Sequence, residues 1–235
     1  MTLLSTRGLS KRFDGLQAVK DVDFDLPEGE VRALIGPNGA GKTTLVGMIC
    51  GRVAPSSGRV VFEGRDITTL PAHKRILAGM AYTFQITSVF ARLPVAENVA
   101  LAARRRLRGA EADAVVHEAL DRVGLLDRID QEAGDLSYGH QRLLEIAMGL
   151  AQAPRLLILD EPTQGLSESE IAGFTALLRD LAGRTTVLLI EHNMSVVMET
   201  ADRVTVLDYG AVLAEGTPAE IHENAAVQAA YLGTG

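Results

Sequence analysis

Apolar and acidic positions alternate from residue 18 to residue 26. Val22, Phe24 and Leu26 fall on one face, and Asp21, Asp23 and Asp25 on the other. That period predicts an antiparallel strand with one wet face. Pro27-Glu28-Gly29-Glu30 supplies a turn, and residues 31 to 35 form a short, mostly apolar run that reads as a buried strand. Between residues 44 and 50 the apolar positions are Leu45, Val46, Met48 and Ile49, as in a helix packed on a sheet. Residues 58 to 63 read as another strand, closed by a turn through Glu63-Gly64-Arg65-Asp66. The first third is therefore mostly β around one loop and one helix.

The period changes in the middle. A helical pattern runs from 95 to 108 and ends in Arg104, Arg105, Arg106 and Arg108. A second helix spans 110 to 123, with Val115, Ala119, Leu120 and Val123 on one side, and a third, broadly apolar one spans 139 to 151. Together they predict a helical lobe inserted in a sheet domain. The arginines read as a solvated helix end or as a contact for lipid headgroups or a partner. The last third alternates strand and helix, as a parallel sheet does: strands at 156–159, 186–190 and 204–207, helices at 168–181 and 194–201. Residues 211 to 215 follow the turn Tyr209-Gly210. Thr217-Pro218-Ala219-Glu220 then gives an N-cap, a proline at the first helical position and a glutamate three residues after the cap.

The 235 residues suffice for one large domain, or a domain with a lobe, with a full core. The single cysteine, Cys50, lies in an apolar helix and reads as an inert buried thiol; the five histidines show no metal-ligand spacing. This composition suits a reducing compartment. A net charge of −7 argues against an extended nucleic-acid surface. The N-terminal stretch lacks a signal-peptide core, and no apolar run approaches the ~18 residues a spanning helix needs. Action at a membrane would come from the water side or through a partner.

The chemistry centres on GPNGAGKTT: Gly36, Pro37, Asn38, Gly39, Ala40, Gly41, Lys42, Thr43 and Thr44. Its core fits G-x-x-x-x-G-K-[ST] between a predicted strand and a predicted helix. The glycines let backbone N–H groups turn toward phosphates, and the helix start adds unpaired donors and a positive dipole end. Lys42 can reach the β- and γ-phosphates, and the Thr43 hydroxyl can ligate Mg²⁺. Asp160 and Glu161 end the apolar run 156 to 159. Beside a phosphate loop, Asp160 is placed to hold Mg²⁺ and Glu161 to polarise an attacking water. His192 follows another apolar strand, where residues of a parallel sheet line the ligand crevice; a structural histidine is the competing reading. The amide of Gln85 could ligate Mg²⁺ or orient a water. Ser137 and Gly139 stand at a helix start, either as an anion site or with Ser137 simply as the N-cap.

In this order, and over nearly the whole chain, these stretches resemble the ATP-binding cassette (ABC) ATPases. GPNGAGKTT is similar to their Walker A motif and LLILDE to Walker B, with Glu161 as the catalytic glutamate. Gln85 falls at the Q-loop, Gly165-Leu166-Ser167 at the D-loop and His192 at the switch histidine. LSYGHQ resembles the signature, which contains Ser137, Gly139 and Gln141, and Phe13 stands where an aromatic stacks on adenine. The resemblance implies an α/β fold: a P-loop NTPase parallel-sheet core, an N-terminal antiparallel β subdomain and a helical subdomain inserted at roughly 87 to 153, in one domain spanning 1 to 235. It implies ATP and Mg²⁺, and two ATP-binding subunits, identical or similar, set head to tail. Each ATP would lie between Walker A of one and the signature of the other. Two integral membrane permease subunits would be driven on the cytoplasmic face of the membrane, with a solute-binding protein as an indirect partner and no nucleic acid.

Tyr138 and His140 replace the usual Gly and Gln of the signature, and Ser167 replaces the D-loop aspartate. LSYGHQRLLEIA, TTVLLIEHNMSVVM and GTPAEIHENAAVQAAYLG are similar to the ATPases of branched-chain amino acid importers. A soluble ABC-type ATPase outside transport is the alternative, although its usual coiled-coil arm, tandem cassettes or extra domains are not seen.

Overall fold

A computed structural model describes residues 1–83 and 88–232. Its elements are, in chain order, β1 (Thr2–Phe13), β2 (Leu16–Pro27), β3 (Val31–Ile35), α1 (Lys42–Ile49), β4 (Ser57–Phe62), β5 (Arg65–Asp66), α2 (Ala72–Leu77) and β6 (Met80–Tyr82). Then come α3 (Val95–Ala103), α4 (Gly109–Arg122), α5 (Tyr138–Leu150), β7 (Leu156–Asp160), α6 (Glu168–Leu181), β8 (Thr186–Ile190), α7 (Met194–Thr200), β9 (Arg203–Asp208), β10 (Ala211–Gly216), α8 (Pro218–Glu223) and α9 (Ala225–Leu232).

Two sheets form. An antiparallel one runs β2-β1-β4-β5, and a six-stranded one runs β10-β9-β3-β8-β7-β6. In the second, only β10 pairs antiparallel. The alternation at 18 to 26 is realised in β2, with Val22, Phe24 and Leu26 buried and Asp21, Asp23 and Asp25 exposed. β7 shows why the parallel strands read as continuous apolar runs. Leu157 and Leu159 pack with the helices α3 to α6, whereas Leu156 and Ile158 pack with α1 and the antiparallel sheet. A strand buried on both faces needs an apolar side chain at every position, and each contributes about 1.5–3 kcal/mol. On the far flank, Ile35, Val204 and Val206 pack with Val197, Ile221 and Val227 of the last three helices.

Three features differ from the sequence reading. β1 had no clean period, because Gly8 at φ 59° and register shifts between Thr6 and Leu9 break its alternation. The short α2 and β6 fell below the length at which a period shows. The helix expected through residue 108 ends at Ala103, so the arginines lie beyond it. Arg104 pairs with Glu97, while Arg105 and Arg106 donate to Gln152. The chain turns there so that Leu107 packs against the helical core before α4 begins. On α4, Ala112 and Val116 share the buried face with Ala119 and Leu120, and Val115 sits at its margin.

Candidate functional site

The order β3-β8-β7-β6 places the ends of four parallel strands side by side. The loops after β3, β8 and β7 carry the glycine-rich segment, Glu191-His192 and Glu161, so residues far apart in sequence meet at one crevice. A cavity of about 530 Å³ is lined there by Phe13, Lys42, Thr43, Thr44, Glu161 and His192, among others. Gln85 lies outside the described residues.

Two glycines of the loop, Gly36 and Gly41, are dictated by space. Gly36 has φ 150°, and a Cβ on it would lie 2.2 Å from the Leu207 carbonyl oxygen. Gly41 has φ 102°, and its Cβ would meet the Ala18 carbonyl at 2.4 Å. α1 starts after Gly41 with no side-chain cap and no acidic residue in its first turn, which leaves backbone donors for an anion. The Lys42 ammonium donates to the carbonyls of Gly36 at 2.6 Å and Pro37 at 3.0 Å. Burial lowers its pKa, opposed by the charges of Glu161 and Asp160.

Asp160 is buried at the tip of β7 and accepts the Tyr82 hydroxyl at 2.7 Å. Burial raises its pKa, the Tyr82 bond lowers it and the charge of Glu161 raises it. Glu161 adopts φ 49°, rare for a side-chain-bearing residue, and its carboxylate lies 3.0 Å from His192 Nε2. Among the described residues there is no cluster of three or more His, Cys, Asp or Glu that could hold a metal alone. The candidate donors, the Thr43 hydroxyl and the Asp160 carboxylate, are hard oxygens; that chemistry fits Mg²⁺ completed by nucleotide phosphates. Cys50 is buried, and burial pushes its thiol up to about 12, as an inert thiol requires.

Behind the cavity lie groups that the sequence reading missed. Arg142 is 1 % exposed, donates to Glu145 at 2.9 Å, and reaches the carbonyls of Asp160 at 3.1 Å and Glu161 at 3.4 Å. Glu145 also accepts the Ser88 N–H at 2.5 Å. Glu191 accepts from the Thr163 hydroxyl and from the N–H groups of Thr163, His192 and Asn193, which fixes the loop carrying His192. A charged residue inside or beside an apolar helix or strand was the signal available for each.

Ser137, Gly139 and Gln141 do not line this cavity. Ser137 is the N-cap of α5, accepting the His140 N–H at 3.2 Å, and Gln141 donates to the Leu136 carbonyl at 3.2 Å. The departures Tyr138, His140 and Ser167 gather at one place. A Cβ on Gly165 would meet the Tyr138 ring at 2.6 Å, and one on Gly139 would meet the Glu170 carboxylate at 3.0 Å. Ser167 caps α6 in a reciprocal box with Glu170, and His140 Nε2 lies 3.4 Å from Glu170.

Residues 19–164 match the ABC transporter family, and residues 211–235 match the branched-chain amino acid ATP-binding cassette transporter family. The chain is 39 % identical to the high-affinity branched-chain amino acid transport ATP-binding protein LivG of Salmonella typhimurium, covering 98 % of each chain. It is 37 % identical to the lipopolysaccharide export system ATP-binding protein LptB of Acidithiobacillus ferridurans, covering 98 % of this chain and 97 % of that one. The structure of MJ1267, an ATP-binding cassette of an ABC transporter, superposes with TM-score 0.90 at 27 % identity, covering 98 % of this chain and 99 % of the other. The dimeric cassette MJ0796 bound to ADP and Pi superposes with TM-score 0.83 at 25 % identity, over 92 % and 99 %.

Proposed function

This chain belongs to the ABC transporter ATPases, and from that premise we propose that it powers an importer of branched-chain or related amino acids from the cytoplasmic face of the membrane. Among the described residues no helix is long and apolar enough to cross a membrane, so on this reading two permease subunits supply the pathway, and a solute-binding protein delivers the cargo. The C-terminal match and the LivG likeness support the solute class.

The observation that carries the mechanism is the division of the site. The cavity holds Phe13, the phosphate loop, Glu161 and His192, while Ser137 and Gly139 lie apart from it at the start of α5. A second chain set head to tail would close each cavity with its own Ser137 and Gly139, as Walker A faces the signature in the family. In that sandwich Phe13, 44 % exposed, stacks on adenine, and the loop N–H groups with Lys42 cradle the phosphates. Thr43 and Asp160 would hold Mg²⁺, with Gln85 as a further ligand; when bound, the ion neutralises phosphate charge. Glu161 takes the proton of the attacking water, and His192, 3.0 Å from it, orients toward the γ-phosphate. The whole chain then acts as one ABC ATPase domain, with its helical part at roughly 87 to 153.

The test is sedimentation of Glu161→Gln with and without Mg-ATP. The expected result is a mostly monomeric protein that dimerises with ATP, since two acidic chains repel until the nucleotide bridges them. A monomer under both conditions, with ATP bound, overturns the homodimeric sandwich. Uptake of labelled leucine by vesicles carrying this chain and its permeases tests the solute; equal uptake with and without the chain overturns that part.

A further inference from the structure

Nδ1 of His140 lies 3.0 Å from the Ser137 hydroxyl oxygen, and its Nε2 lies 3.4 Å from Glu170 Oε1. The Ser167 backbone N–H and hydroxyl hold the Glu170 carboxyl below the usual carboxylate range, so this partner is an ionised acceptor. A carboxylate donates nothing. In neutral His140 the single ring proton therefore belongs on Nε2, facing Glu170, and Nδ1 is a bare acceptor. The Ser137 O–H then supplies the proton of the Ser137–His140 bond. The same oxygen already accepts the His140 N–H at 3.2 Å, so its one proton is committed within the chain while a second lone pair stays open.

We propose that His140 is a positioning residue that directs the Ser137 hydroxyl proton, and that protonation of His140 turns Ser137 outward as a donor to the phosphate of an ATP held by a second copy of this chain. The inference rests on the head-to-tail reading above. A phosphate oxygen only accepts, so with neutral His140 the serine must abandon Nδ1 before it can donate. When a proton from solvent adds to Nδ1, the bond reverses: Nδ1–H donates to Ser137 Oγ, and the hydroxyl proton points away from the ring. No covalent bond other than N–H is made. The ring is reachable, its side chain being 26 % exposed.

The charged groups facing His140 come from two elements. Glu170 of α6 faces its Nε2 side. Asp121 and Arg122, at the end of α4, line the same pocket of about 390 Å³, and Arg122 is held at 2.5 Å by Asp180. Asp180 offsets the charge of Arg122.

The test is the pH dependence of ATP-driven dimerisation, measured by sedimentation in the Glu161→Gln background at about pH 6 and about pH 8, the range over which histidines titrate. The expected result is a dimer roughly ten-fold tighter per site at the lower pH, the factor one net hydrogen bond is worth. General repulsion between acidic chains also varies with pH, so the decisive comparison is with Glu161→Gln/His140→Gln. An amide does not titrate, so the extra pH dependence should vanish there. Equal pH dependence in the two proteins overturns the proposal. Adding Ser137→Ala should weaken the dimer most at the lower pH; full affinity there overturns it as well. If ATP binds by titration yet no variant dimerises at either pH, the head-to-tail reading fails, and this inference fails with it.

Discussion

Arg142→Met is the most informative single change, because this guanidinium is buried, paired and out of reach of the cavity. Deleting it leaves the Glu145 carboxylate, 5 % exposed, with only the Ser88 N–H among the partners described here, and strips a donor from the carbonyls of Asp160 and Glu161. Breaking a buried pair from one side costs about 3–5 kcal/mol. Urea unfolding at about pH 7 should show a loss of that size. The pH dependence follows from Glu145. Burial already raises its pKa, opposed by the Ser88 N–H and by Arg142. Without Arg142 it rises further, so the folded variant holds a proton that the unfolded chain releases. A raised folded pKa contributes stability below the unfolded pKa and loses it as pH rises through the folded one. The deficit should therefore shrink toward about pH 5. Arg142→Met/Glu145→Met removes both charges and should recover most of the loss. The recovered protein should still hydrolyse ATP more slowly, by up to about 100-fold, because the turn that aims Glu161 has lost its anchor. A single-variant loss below about 1 kcal/mol, or a double variant no more stable than the single, would refute the reasoning.

Lys42→Ala should remain folded but lose most of its ATP affinity, read by nucleotide titration; unchanged affinity removes Lys42 from the phosphate cradle. Glu161→Gln should bind Mg-ATP and turn over at least ~100-fold more slowly in a steady-state assay. Near-normal turnover would move the base to His192. His192→Ala should also be slow, through lost γ-phosphate positioning. Ser167→Asp should alter the Hill coefficient of ATPase activity more than the maximal rate, and it sets a second carboxylate beside Glu170; identical Hill coefficients count against it.

Local order in the sequence carried the parallel strands, the phosphate loop and the Thr217 capping box, because each is written in neighbouring residues. Its limits are equally physical. A bulge at Gly8 cancelled the alternation that would have marked β1. The arginines after residue 103 are good helix formers, yet the helix ends at Ala103, where Leu107 packs on the core and Arg105 and Arg106 donate to Gln152. Tyr138, His140 and Ser167 stood out as three separate departures from a motif. In space Tyr138 fills the gap over Gly165, and Glu170 joins His140 to Ser167. No periodicity relates residues 138–140 to 165–170, so this adjacency becomes visible only in the fold. Arg142 and Glu145 were hidden in a helix that read as broadly apolar.

These hidden charges share one arrangement. Arg75 donates to the carbonyls of Met48 and Ile49 at the end of α1, at 2.8 and 2.7 Å. Arg142 does the same for the end of β7, and Glu191 collects the N–H groups of the loop after β8. None of the three lines the cavity. Backbone groups at element ends need partners when buried, and here buried ions meet that need. Groups fixed in this way provide, on the head-to-tail reading, electrostatic stabilisation without reorganisation. On the head-to-tail reading, little of the ATP binding energy then goes into ordering the phosphate loop. It remains for the step the single chain cannot complete, drawing Ser137 of a second copy across the cavity against the repulsion of two acidic proteins.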